Sequence, residues 1–198
     1  MNTISREMLY RNTEKAARSL LGDLLVHYLP EGKLVGKIVE TEAYLSENDP
    51  ACHASRGKTR RNEAMFGPPG TAYVYLIYGI HNCFNVVTRE KGIGEAVLIR
   101  SLEPLEGIDF MFRRRGVNDK LNLSSGPGKL CQALGITREH NGIELTRGSL
   151  VILDSGEQPV YEADSRIGIS VAKDKKLRFY ISDNPYVSTS SPVKRSGK

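Results

Sequence analysis

The chain has no tryptophan and only three cysteines, and no stretch of it approaches the ~20 uninterrupted apolar residues that a bilayer-spanning helix needs. Cys52, Cys83 and Cys131 are odd in number and far apart, which argues against a disulfide framework and against a metal knuckle; reduced, buried thiols are expected. The opening MNTISREMLYRNTEKAARS is too polar for the apolar region of a signal peptide. His27, His53, His81 and His140 show neither HExxH nor a ligand spacing shared with cysteine, so no metal site is expected. Two nucleotide signatures also fail. In SGPGKL the position five before Gly128 is Leu123, and Leu130 follows Lys129, which breaks the Walker pattern; GIGEAV lacks the third glycine of the dinucleotide fingerprint. The chain therefore reads as a soluble, cytoplasmic protein that needs no cofactor.

What is present is an ordinary globular composition. With 198 residues, 39% apolar and 26% charged, one domain spanning 1–198 can bury a core. Lys and Arg outnumber Asp and Glu by 28 to 23, a net +5, and the excess is uneven. HASRGKTRRN (53–62) carries Arg56, Lys58, Arg60 and Arg61 with no acid; Arg113–Arg115 form a second cluster, and Lys194, Arg195 and Lys198 lie in a basic tail, 190–198, that reads as frayed. Such clusters suit a polyanion, because each phosphate neutralised releases a counterion. The plain alternative is a solvated surface.

Asn12 or Thr13 can cap a helix from about Thr13 to Leu21, whose Ala16, Ala17, Leu20 and Leu21 fall at helical spacing before Gly22. Strand signals follow at 24–29, 34–45, 72–79, 83–88 and 95–104, and later in TRGSLVILD, SRIGISVA and LRFYISD. Helices are expected at 105–115 and, with Pro127 in the first turn, at 126–135. Residues 46–70 show neither period, and a loop that long in a small domain is usually functional or disordered. The fold expected is a single α+β domain with a mostly antiparallel, curved sheet flanked by helices.

Alternation in 34–45 puts Glu40, Glu42 and Tyr44 on one face and Val39, Thr41, Ala43 and Leu45 on the other. A carboxylate two residues from a tyrosine can activate water beside a stacked flat substrate; equally, Glu40 and Glu42 can be ion-paired on a solvated face. AYVYLIYG places Tyr73 and Tyr75 on one face, with Tyr78 at opposite parity against Gly79, where a turn can lift its ring off the sheet. An exposed ring at a hairpin tip suits a wedge between base pairs, and one a strand-step away suits a stacking wall. Core packing is the plain reading, more so for Tyr73 than for Tyr78.

Taken in order, IVETEAYL, H-x-S-R-G, TRRN-x-x-MF, PPGTAYVYLIYG, CFNVV, LIRSLEPLEG, SGPGKLCQALGI, RIGIS and LRFY…NPYVS resemble the alkyladenine (3-methyladenine) DNA glycosylase family from about Ser5 to Val187. The resemblance implies a monofunctional base-excision repair enzyme that flips a damaged purine out of double-stranded DNA, with a β-hairpin inserted into the duplex. It implies Glu42 as the base that activates water and Arg100 as its neighbour that helps hold water and nucleotide. Tyr44, His53 and Tyr75 match the walls of the base pocket, Asn85 the residue that disfavours normal guanine, and Tyr78 the inserted ring. Arg56, Arg60 and Arg61 are expected on DNA phosphates. No lysine stands at a matched nucleophile position, so lyase chemistry is not expected. A monomer is expected. The rival readings are a non-catalytic nucleic-acid-binding module that uses the same loop and hairpin, and a hydrolase of free nucleosides.

Overall fold

The computed structural model describes residues 1–10 and 12–188. Its sheet is organised around one strand, β2 (Gly32–Tyr44), the longest of the described elements. β5 (Ala96–Glu106) pairs with one edge of β2 from Val35 to Tyr44. The opposite edge is shared. β1 (Leu24–Leu29) covers it from Gly32 to Lys37, and β8 (Arg178–Ile181) takes over from Glu40 to Glu42. β2 is therefore interior along almost its whole length. Beyond β5 lie β4 (His81–Val87) and β3 (Ala72–Ile77); beyond β1 lies β6 (Leu150–Leu153), and β7 (Tyr161–Asp164) joins through β8. Every pairing is antiparallel. The β2–β5 register shifts at Val35/Gly36 and on both sides of Glu40, skipping Val39 in β2 and Leu105 and Arg100 in β5, and curls the sheet there, because each extra residue bends and twists its strand.

Four helices accompany the sheet: α1 (Arg6–Tyr10), α2 (Thr13–Ser19), α3 (Ile108–Arg115) and α4 (Pro127–Leu134). Asn12 caps α2 by accepting the Lys15 amide at 2.8 Å, and Pro127 opens α4 where a missing N–H costs nothing. Leu20 after α2 and Leu130 and Leu134 of α4 pack with Leu25, Ile38, Phe84 and Ile99 in the main core. Each such side chain contributes about 1.5–3 kcal/mol by leaving water.

The strands expected at 24–29, 34–45, 72–79, 83–88 and 95–104 and the helices expected at 105–115 and 126–135 all form, within about three residues of those bounds. One expectation fails. SRIGISVA is not a strand: the strand precedes it, at Tyr161–Asp164, and residues 165–171 run as irregular chain. The reason is where its polar groups go. The Ile167 amide is taken by the Glu42 carboxylate, and Gly168 has φ +79, so no ladder can continue. β7 escaped notice because YEAD is almost wholly exposed and has no apolar period.

Residues 46–70, without period in the sequence, are built from two 3-10 turns, His53–Arg56 and Glu63–Phe66, over a small core of their own. Cys52, Ala54 and Met65 pack there on Tyr73, Val87 and Ala96. Asn62 holds the loop's polar side: its Nδ2 donates to the carbonyls of His53 (2.9 Å) and Gly57 (3.1 Å), and its Oδ1 accepts the Thr59 amide at 2.6 Å. Gly94, in the β4–β5 connection, lies so close beneath that a Cβ on it would stand 2.5 Å from that of Ala54. All three cysteines are free and buried.

Candidate active site

A cavity of about 770 Å³ opens where β2, β3, β4, β5, the 46–70 loop and residues 165–171 converge. Each supplies a lining residue: Tyr44 ends β2, Tyr75 lies in β3, Asn85 in β4, Arg100 in β5, His53 in the loop and Ile167 in the last segment. The six residues come from 44 to 167 in the chain, and the curl of the sheet gathers them. Tyr73 and Tyr75 share a face, as alternation requires, but they differ in depth. Tyr73 is buried and its hydroxyl lies 2.9 Å from His53 Nδ1, while Tyr75 faces the cavity with its ring 4.5 Å from that of His53 and steeply inclined to it. Asn85 is held by Nδ2 donation to the Tyr73 carbonyl at 2.9 Å. Loss of water around the His53 ring, with repulsion from Arg61 added, holds its pKa below the ordinary 6.5 and favours the neutral imidazole.

Glu42 sits beneath this cavity rather than on its surface: it has no exposed area, and its contacts, not its own atoms, line the wall. Oε1 accepts the Ile167 amide at 2.8 Å and lies 3.5 Å from Arg100 Nη1; Oε2 accepts the Tyr44 hydroxyl at 2.8 Å. Burial raises the carboxyl's proton affinity above the usual range, against the pull of Arg100, the Ile167 amide and Tyr44, and Glu40 raises it further. The solvated-face alternative for Glu40 and Glu42 is thereby excluded. Both are ion-paired, but both are fully buried: Arg178 and Ser188 close over Glu40, and Ile167 and Tyr44 over Glu42, with Arg100 against each.

Arg100 stands between these two carboxylates. Its Nε donates to Ser188 Oγ at 3.0 Å and lies 3.5 Å from Glu40 Oε1. Several residues that hold this arrangement were assigned no role from the sequence. Arg178 Nη1 donates to Glu40 at 2.9 Å, the Ser188 amide caps the other Glu40 oxygen at 2.8 Å, and Arg166 pairs with Asp49 while its guanidinium lies 4.6 Å from the Tyr44 ring centroid. The signal was an arginine inside each of two otherwise apolar segments, RIGIS and LRFY.

The β3–β4 hairpin turns at Tyr78 and Gly79, both at positive φ (+53 and +74), and the Ile80 amide closes the turn on the Ile77 carbonyl. A tyrosine in the left-handed region is rare and costs about 1–3 kcal/mol. That conformation leaves Tyr78 85% exposed, with Ile80 72% exposed beside it. Arg56, Arg60 and Arg61 are all exposed. Arg56 and Arg61 line a second hollow of about 380 Å³ that shares His53 with the main cavity. Arg113 and Arg114 are engaged within the protein, Arg113 4.4 Å from the Phe110 ring and Arg114 paired with Glu31 at 2.6 Å, while Arg115 donates to the Leu123 carbonyl at 3.0 Å and also lines the main cavity. The basic tail lies outside the described residues. Among the described residues, no group of three or more His, Cys, Asp or Glu could hold a metal ion, and no helix is long and apolar enough to cross a membrane.

The family model of methylpurine-DNA glycosylase (MPG) matches residues 7–185. A protein of Carboxydothermus hydrogenoformans, named "Putative 3-methyladenine DNA glycosylase", is 52% identical over 189 residues, which are 93% of this chain and 98% of that one. Proteins of the same name from Methanoculleus marisnigri and Francisella tularensis are each 50% identical, over 94% and 91% of this chain and 98% and 96% of theirs. A match of that extent, over the same segments that build the cavity, leaves one conclusion: this chain belongs to the methylpurine-DNA glycosylase family, the DNA-repair enzymes that release methylated purines from DNA.

Proposed function

We propose that the cavity receives a damaged purine rotated out of double-stranded DNA, and that Glu42 directs a water molecule at C1′ of its sugar. The observation that supports this most is the join between base wall and carboxylate: the Tyr44 ring lines the cavity while its hydroxyl donates to Glu42 at 2.8 Å. Rotation unstacks a nucleotide at a cost of about a few kcal/mol. The exposed ring of Tyr78 fills the vacated space, and Tyr44, His53 and Tyr75 stack on the extruded base, at about 1–3 kcal/mol per stacked base. Arg56, Arg60 and Arg61 hold phosphates of the bent strand.

In the bond-breaking step the C1′–N bond opens and the purine leaves with its electron pair. Positive charge grows on the sugar, and the Glu42 carboxylate stabilises it while taking a proton from the water that bonds to C1′. Two hydrogen bonds occupy Glu42, from Tyr44 and Ile167, with Arg100 as an ion pair at 3.5 Å, and a carboxylate has about four lone-pair sites, so acceptor capacity is left for that water. Tyr44 and Arg100 line the wall above the buried carboxylate, so a side-chain shift there admits the water. Purines alkylated at N3 or N7, such as 3-methyladenine and 7-methylguanine, already carry positive charge and leave without an acid. Hypoxanthine and ethenoadenine, which are neutral, need protonation or better contacts to the ring edge, the latter from His53 and Asn85. The enzyme is a monomer and acts without lyase chemistry.

The test is release of free base from methylated duplex DNA by the purified protein, with the free nucleoside and strand nicking as controls. Base release from duplex alone, without nicking, is expected. Tight binding without release would make the protein a recognition module, release from the nucleoside would remove the role of Tyr78, and nicking would overturn the monofunctional assignment.

A further inference from the structure

Arg100 is one cation facing two buried carboxylates. Its Nη1 lies 3.5 Å from Glu42 and its Nε 3.5 Å from Glu40, while Glu40 is held from its other sides by Arg178 Nη1 at 2.9 Å and the Ser188 amide at 2.8 Å. Arg178 in turn reaches Asp164 at 3.1 Å. The row Glu42, Arg100, Glu40, Arg178, Asp164 thus alternates in sign from the cavity wall to the protein surface. Glu40 has no exposed area, touches no atom that lines the cavity except through Arg100, and has no part in the chemistry described above. A buried carboxylate is costly unless donors compensate it, and here three groups do so.

We propose that Glu40 is a positioning residue: it divides the charge of Arg100 between two carboxylates and so keeps Glu42 basic enough to take a proton from water. This rests on the reading of Glu42 as the base. If Arg100 answered to Glu42 alone, at the same depth, the attraction would make Glu42 a weaker base, and a base is most effective when its pKa lies near the working pH. The bulges on both sides of Glu40 serve this geometry, since they set its side chain relative to Arg100 across the β2–β5 pairing. The other groups facing Glu42 are Tyr44 on its own strand, Tyr75 of β3, Cys83 of β4, the Ile167 amide and Arg166 of residues 165–171, and Arg178 opposite it in β8. None of these is a carboxylate; the carboxylate that shares Arg100 with Glu42 is Glu40.

The experiment is a pH profile of single-turnover base release from methylated duplex DNA by the full-length protein, for wild type and Glu40→Gln. Activity of a base rises with pH through its pKa. Removing the Glu40 charge turns Arg100 wholly to Glu42, so the acidic limb moves to lower pH, by about half a unit or more. Loss of structural support alone would lower the rate at every pH without that downward move. A limb that stays in place or moves up, in a variant that still binds lesion DNA, overturns the proposal. Should Glu40→Gln fail to fold because Arg178 keeps only Asp164 as a partner, Glu40→Gln/Arg178→Gln is compared with Arg178→Gln alone, so that the limb still reports the Glu40 charge. Glu42→Gln is run alongside. If it retains activity, the assignment of the base has failed; if it is inactive while the Glu40→Gln limb is unmoved, only the inference about Glu40 has failed.

Discussion

Arg166 and Asp49 form a bidentate pair with no side-chain exposure on either partner, each terminal guanidinium nitrogen 2.6 Å from a carboxylate oxygen. The pair joins three parts of the site. Asp49 begins the loop that carries His53, Arg166 also donates to the Ala43 carbonyl at 2.9 Å and stacks on Tyr44, and the next residue, Ile167, gives its amide to Glu42. Breaking a buried pair leaves an uncompensated charge, at a cost of about 3–5 kcal/mol. Asp49→Asn and Arg166→Met are each expected to lower the melting temperature by on the order of 10 °C. The double variant, with no charge left over, recovers much of the stability but not base release. Burial pushes the Asp49 carboxyl up, but Arg166 and the amides of Leu45 and Ala51 outweigh it and hold it below the ordinary value. Its contribution is therefore present above the unfolded pKa and lost as pH falls through the folded one. Thermal melts of the three variants at neutral and acid pH check both points, and single variants that melt like wild type would contradict the first.

Glu42→Gln should separate stability from activity. A base in this role contributes about 10²–10⁴ in rate, so base release in single turnover should fall by at least that much while binding to lesion DNA persists. Stability moves the other way. Burial holds the Glu42 pKa above its unfolded value; the stability tied to its protonated form is complete below the unfolded pKa and is lost as pH rises through the folded one. At pH 8 the amide variant is thus expected to melt no lower than wild type. Release at a near wild-type rate would refute the assignment of the base.

Much of this was legible in the sequence because β2 carries a clear period: alternation placed Glu42 and Tyr44 on one face, and the Tyr78–Gly79 pair announced a turn. The illegible part came from residues whose partners are far along the chain. The apolar setting of Arg166 is the one local hint, and it does not name a partner, since Asp49 is 117 residues away. For the same reason the strand composition of RIGIS misled. The segment's backbone is spent on the Glu42 side chain rather than on a neighbouring strand, and only the folded chain shows that. Burial of Glu40 was equally hidden, because Arg178, whose side chain pairs with it, lies 138 residues beyond.

His53 should titrate below pH 6.5, since loss of water around the ring and repulsion from Arg61 both oppose its charge. The sign for folding follows. With the folded pKa depressed, the neutral ring's contribution is whole above about 6.5 and is lost as pH falls through the folded pKa. Release of cationic purines should also weaken there, because an imidazolium repels them. An NMR titration of the imidazole, assigned by comparison with His53→Gln, checks this, and a midpoint at or above 6.5 would show that the surroundings do not exclude charge.

Tyr78 occupies a left-handed conformation that its own side chain disfavours, at the most exposed aromatic position among the large hydrophobic residues described. Strain and exposure together mean that folding gains little from this ring, so the wedge role proposed for it can be tested apart from stability. Replacing it tests that directly. Tyr78→Ala should leave folding stability within about half a kcal/mol of wild type, as expected of an exposed site. It should weaken lesion binding and suppress flipping, seen as loss of the fluorescence rise of a reporter base placed beside the lesion. Tyr78→Phe, which keeps the ring and loses only the hydroxyl, should behave as wild type. If the alanine variant still raises the reporter signal fully, the vacated stack is being filled by another residue, and Ile80, exposed on the same turn, would be the one to replace next.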